Sequence, residues 1–213
     1  MDFEERNEFN FGFAPSKIDG SEILFTADEG CDIPSSYSYR DYLPDVIDQG
    51  SLSICVPCTL SSYLNWKINM KDGSNKDNSI DLFEIYNSRS NRGEGMTYKE
   101  ALKYLRKSGV SCNNGKASIK MYGKVNTVDD LKFALVANGP CFGALPVYSG
   151  DCDFWNKKVG QRLKGYHAIS LVGYDEEGII IRNSWGKKFC DGGYTKIGYD
   201  DFGKILEIWT VID

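Results

Sequence analysis

From Cys55 to about Met70 the apolar residues Leu60, Tyr63, Leu64 and Ile68 recur at steps of three and four, the period of a helix that buries one stripe. Pro57 suits that helix only in its first turn, where a missing N–H has no partner to lose. A second helix is expected from about Tyr98 to Lys107, with Ala101, Leu102 and Leu105 on one face. A third should follow Thr127, whose hydroxyl can cap the backbone while Asp130 reaches back. Leu131, Ala134 and Leu135 form its stripe, and Gly139-Pro140 ends it. Met70 to Asn78, rich in Lys, Asp, Ser and Asn, reads as a surface loop.

Beyond Pro140 the pattern changes to short apolar runs separated by turns: Phe142 to Val147, Ala168 to Tyr174, Gly178 to Arg182, Tyr194 to Gly198 and Ile205 to Val211. These are expected as strands, with a hairpin turn at Asp175-Glu176-Glu177-Gly178. Helices first and strands later predict an α+β protein of two lobes with a cleft between them.

Composition narrows the function classes. A chain of 213 residues, 41% hydrophobic and 26% charged, has enough apolar material for one sizeable core or two lobes. Its 25 basic residues are scattered, form no run and are outnumbered to a net charge of −5, which argues against nucleic acid as a partner. No segment approaches the roughly 18 uninterrupted apolar residues of a membrane span. The acidic start Met1-Asp2-Phe3-Glu4-Glu5 lacks the basic and apolar stretches of a secretory signal, so a cytoplasmic or virion and host-intracellular location is expected. The seven cysteines are then expected as free thiols in a reducing compartment.

The chemistry is carried by few residues. His167 is the single histidine of the chain; Cys55 lies far upstream, Gln49 six positions before that cysteine, and Asn183 sixteen positions after the histidine. A thiol that attacks, an imidazole that moves protons and an amide that holds the ring are the parts of a thiol hydrolase. At the start of its helix, Cys55 would have thiolate favoured over thiol by the partial positive charge of that terminus.

Gln49-Gly50-Ser51-Leu52-Ser53-Ile54-Cys55, Gly165-Tyr166-His167-Ala168-Ile169 and Arg182-Asn183-Ser184-Trp185-Gly186 together resemble the papain-like cysteine peptidases, over roughly Ile33 to Asp213. The stretch Tyr42 to Gly50 and Gly93-Glu94-Gly95-Met96 look most like the compact microbial and viral members. The chain departs from the family's Cys-Gly-(Ser/Ala)-Cys-(Trp/Tyr) signature. Leu52 stands at the first cysteine, Ile54 and Val56 flank the thiol, and the step from Cys55 to His167 is short.

The resemblance implies a papain-like two-lobed fold: a helical lobe over residues 31–115 and a β-rich, barrel-like lobe over 116–213, preceded by residues 1–30 as an arm or a short inhibitory segment rich in aromatics (Phe9, Phe11, Phe13, Phe25). It implies a cysteine endopeptidase in which Cys55 and His167 form an ion pair, Asn183 holds the ring beneath Trp185, and Gln49 with the Cys55 N–H stabilises the oxyanion. Gly95 and Tyr166 would line the substrate cleft. A protein or peptide is the implied partner, with no metal or organic cofactor.

Other readings of the same residues stay open. Cys55-Val56-Pro57-Cys58 at a helix start is also the arrangement of a thiol-disulfide oxidoreductase, although that leaves His167, Asn183 and Gln49 idle. Zinc would need two more ligands than this pair supplies. A catalytically inactive papain-like binding module and a transpeptidase would carry the same polar groups.

Overall fold

The computed structural model describes residues 12–28, 30, 32–71, 73–90 and 95–213; Phe9, Phe11, Cys31, Gly93 and Glu94 lie outside them. Helix α1 (Cys55–Asn69) begins at the thiol as its period predicts, but it is buried on nearly every side from Cys55 to Asn65 rather than along one stripe. It lies between the other helical elements and the sheet, so no face is left for solvent. Helix α2 (Leu82–Asn87), capped by the Asp81 side chain, is too short to declare a period in sequence. Helix α3 (Tyr98–Lys107) carries a full capping box between Thr97 and Glu100. Thr127 caps α4 (Val128–Asn138) through the Asp130 N–H at 3.1 Å.

The strands are β1 (Tyr37–Ser38), β2 (Val110–Cys112), β3 (Gly115–Ala117), β4 (Met121–Val125), β5 (Cys141–Val147), β6 (Gly165–Tyr174), β7 (Gly178–Arg182), β8 (Tyr194–Gly198) and β9 (Ile208–Ile212). The main sheet runs β4-β9-β5-β6-β7-β8, with β1 added on β6, and every pairing in it is antiparallel. The small β2-β3 hairpin and β4 were not anticipated, because three to five residues of mixed polarity give no clear alternation. The last strand starts at Ile208 rather than Ile205, since residues Tyr199–Lys204 wind into a 3-10 turn first.

Alternate side chains of β5 and β6 divide between two cores, as the two-residue period of a strand requires. Phe142, Ala144 and Ala168 join a core built on α1 and α3 with Leu60, Leu64, Leu102 and Trp209. Cys141, Leu145, Ile169 and Leu171 join a second core with Leu131 and Leu135 of α4 and with Phe154, Trp185 and Phe189. The sheet is thus covered on both faces, which is why β6 is buried along almost all of its length.

The Met70–Asn78 stretch is exposed over most of its described length, as expected of a surface loop, and is anchored at its end by Asn78, which is buried and donates to Asn65 Oδ1 at 3.1 Å and Asn69 Oδ1 at 2.8 Å. One expectation is corrected: the cysteines are not all free, since Cys152 and Cys190 form a disulfide, while Cys55, Cys58, Cys112 and Cys141 are thiols. Gly139 ends α4 at φ +98, where a Cβ would lie 2.3 Å from the Trp66 ring. Gly139→Ala should therefore lower stability by about 3 kcal/mol, read as a shift of the urea midpoint at unchanged slope.

Candidate active site

Ile54, the N-cap of α1, makes no side-chain bond to the first turn, so the amides at that end stay directed at whatever sits before the helix. The Cys55 thiol faces them and β6. Among described residues, the backbone N–H groups of Ala168, Gly12, Val56 and Cys55 itself act on its sulfur. Ala168 follows His167 on β6, and the two residues point to opposite faces of the strand.

The His167 ring meets Asn183 Oδ1 through Nε2 at 2.8 Å. The same Asn183 oxygen accepts the Ser184 backbone N–H at 2.7 Å, which fixes which end of the amide is oxygen. Nε2 must therefore carry the hydrogen, and Nδ1 is the ring atom that exchanges protons in the neutral form. Trp185 stacks on the imidazole with centroids 4.7 Å apart, Phe154 packs on Trp185 at 4.9 Å, and Phe189 meets Trp185 edge-on at 5.1 Å. This aromatic cover keeps water from the His167–Asn183 bond.

Gln49 is drawn to the same place. Its backbone N–H donates to Ser184 O at 2.9 Å and its Oε1 accepts the Ser184 hydroxyl at 2.6 Å. Nε2 donates to Leu52 O at 2.7 Å, which leaves its second N–H for a ligand oxygen. Ser184, Phe154 and Phe189 were not singled out in the sequence; the first had a signal in its position beside Asn183, whereas the aromatics lie on loops with no pattern of their own.

Gly95 does border a backbone, and that backbone is the chain's own amino-terminal segment. A Cβ at Gly95 would lie 2.8 Å from Gly12, and one at Gly12 would lie 2.0 Å from Ser53 O. Phe13 pairs with Met96 in a parallel bridge, with Met96 N–H donating to Gly12 O at 2.7 Å and Ala14 N–H to Met96 O at 3.1 Å. Tyr166 is half-buried on β6 opposite Pro146 and packs against the α1 core. Cys55 and His167 are both fully buried.

Burial governs the charges. It pushes the Cys55 thiol up to about 11, against the pull of the surrounding amides, and holds the His167 imidazole down at about 4 despite its bond to Asn183. Burial thus disfavours both thiolate and imidazolium while the site is covered. Among the described residues no group of three His, Cys, Asp or Glu is placed to hold a metal ion, and no helix is long and apolar enough to cross a membrane.

The model of the papain family cysteine protease matches residues 61–206, a stretch that contains His167, Asn183 and Trp185 and begins just after Cys55. Rat (Rattus norvegicus) cathepsin Q is 27% identical over 94% of this chain and 71% of its own length. A cathepsin B-like protein, CP3, of Giardia intestinalis is 33% identical over 41% of this chain and 34% of its own. Among solved structures, xylellain, a cysteine protease from Xylella fastidiosa, superposes with a TM-score of 0.82 at 20% identity, covering 96% of both chains. Digestive procathepsin L 3 of Tenebrio molitor gives 0.73 at 16% identity, over 99% of this chain and 78% of that one.

The chain belongs to the papain family of cysteine proteases, with that family's two-lobed α+β fold, and is a cysteine peptidase.

The folded chain takes up the His167 proton only near pH 4, whereas the unfolded chain does so near 6.5. This contribution to stability is complete above pH 6.5 and is lost as pH falls through 4. Urea unfolding followed from pH 7 to pH 4 should lose about 3 kcal/mol from this group, and His167→Gln should flatten that part of the profile. Equal slopes in the two proteins would contradict the assignment.

Proposed function

We propose that this chain is a cysteine endopeptidase held latent by residues 12–14, with Cys55 as nucleophile, His167 as proton carrier, Asn183 as the group that positions the ring and Gln49 as an oxyanion donor. The observation that carries the reading is the Gly12 backbone lying between Ser53 and Gly95 beside the Cys55 sulfur, in a chain whose His167 is already oriented by Asn183. Residues 1–30 then act as an inhibitory segment rather than a passive arm, ahead of a helical lobe over 31–115 and a β-rich lobe over 116–213.

The chemistry follows from the geometry once that segment leaves. Water reaching the cleft removes the burial that keeps both groups neutral, and the amides at the start of α1 favour thiolate. The Cys55 proton passes to His167 Nδ1, and the sulfur attacks the carbonyl carbon of an extended protein or peptide substrate. Charge gathers on the carbonyl oxygen, where the Gln49 N–H and the Cys55 N–H each supply about 3–4 kcal/mol. His167 gives its proton to the departing amine, then activates water to release the acyl group. Met96 N–H and C=O, occupied here by Gly12 and Ala14, would bind the substrate backbone. The Cys152–Cys190 bridge favours a working place where disulfides persist over the reducing compartment expected from the amino-terminal sequence.

A side chain at position 12 has no room against Ser53. Gly12→Val should thus expel the segment and raise kcat/KM on a short fluorogenic peptide by about tenfold or more, and an unchanged rate would remove the latency reading. In that background Cys55→Ala should abolish turnover and Gln49→Ala should lower kcat by about 10²–10³.

A further inference from the structure

Cys58 takes no part in hydrolysis, yet it lies three residues after Cys55 on α1, and both are buried thiols. We propose that Cys58 is a resolving thiol for oxidised Cys55, closing a reversible disulfide within the first turn of α1 that switches the peptidase off and shields its nucleophile. The proposal rests on Cys55 being the reactive thiol.

Residues three apart on a helix share a face, with Cβ atoms about 5–6 Å apart. A disulfide needs about 3.5–4.5 Å, so the turn must tighten by roughly 1–2 Å. Ile54 caps the turn with no side-chain bond, so no N-cap contact opposes that tightening. The Cys58 N–H to Ile54 O bond, 3.0 Å long, is the backbone link that closes this turn.

Cys58 also has polar surroundings that suit an attacking sulfur. It lines a small cavity with Thr59, Ser62, Ser170 and Arg182. The Arg182 guanidinium is buried and donates to Pro44 O at 2.8 Å, Asp45 O at 2.9 Å and Tyr194 Oη at 2.7 Å, all neutral acceptors. Burial and the neighbouring Cys55 sulfur hold the Cys58 thiol up, and the Arg182 charge opposes them. A chain that keeps Cys152 and Cys190 bonded works where oxidants are at hand, and an unprotected nucleophilic thiolate there passes irreversibly to sulfinate and sulfonate.

The step needs a hydroperoxide as oxidant. The Cys55 thiolate attacks its terminal oxygen, the S–O bond forms and the O–O bond breaks, and the departing alkoxide or hydroxide takes a proton. Sulfur has then lost two electrons as sulfenic acid. Cys58 sulfur attacks Cys55 sulfur, the S–S bond forms, the S–O bond breaks, and hydroxide leaves as water with the Cys58 proton. A dithiol returns both thiols.

The test uses full-length protein opened by Gly12→Val, with the wild-type Cys58 or with Cys58→Ser, exposed to excess hydrogen peroxide and mapped by peptide mass before and after dithiothreitol. With Cys58 present, the expected peptide spanning Cys55 and Cys58 is lighter by two hydrogen atoms and reverts on reduction. In Cys58→Ser, Cys55 should instead gain two or three oxygen atoms and not revert. Oxygen gained at Cys55 with Cys58 still a thiol would overturn the proposal, as would an unmodified Cys55 while Cys112 oxidises. Mapping reads thiols and not turnover, so loss of peptidase activity in Cys55→Ala tests the nucleophile separately.

Discussion

The molecule depends on a short interlock between two segments far apart in the chain. Gly186 N–H donates to Ile47 O at 3.0 Å, Asp48 bridges Trp185, and Gln49 is held to Ser184 by backbone and side chain. One segment leads into α1 and the thiol; the other leaves β7 and carries Asn183 and Trp185. A catalytic site split between two lobes needs its halves fixed to within a fraction of a hydrogen bond's length, because an error of about 1 Å costs on the order of a hundredfold in rate. Gly186 is required at this junction: its φ is +78, and a Cβ there would lie 2.9 Å from Asp48 Oδ2. Ser184 adds a second constraint, since by holding Gln49 Oε1 it turns the amide nitrogen outward.

The same closeness sets a conflict between burial and chemistry. Thiolate and imidazolium are both charged, and a dry site disfavours each. The structure answers with oriented dipoles rather than counter-charges: the amides of Cys55, Val56 and Ala168 face the sulfur, and a neutral amide holds the ring. Such dipoles need not reorganise as charge develops, so they remain useful once water enters. With Gly12 in place, desolvation outweighs them and disfavours the charged form of both groups.

Much of this arrangement was legible in the residues. The start of α1 at Cys55, the span of α3 and the Thr127 cap were readable because period and capping are local properties. So was the link of His167 to Asn183, through the spacing of two motifs. The second buried face of α1 was not, because Ser61, Ser62 and Asn65 are polar and lie outside the stripe of Leu60, Tyr63 and Leu64. The pairing of Cys152 with Cys190 depends on two loops meeting in space, and no local pattern marks that. The seat of Gly12 against Ser53 and Gly95 was likewise hidden, since a glycine's value lies in what its neighbours leave no room for.

The disulfide has a further effect on how the molecule withstands cutting. Residues 157–164 form a loop between Cys152 and Cys190, and Val159 on it is fully exposed, with Leu163 also open to solvent. A single backbone break there would separate a piece bearing Cys55 from a piece bearing His167, yet the two would stay covalently joined through sulfur, and the sheet would keep them in register. The nicked molecule would be a two-chain enzyme, heavier than the intact one by a single water, that comes apart only when it is reduced.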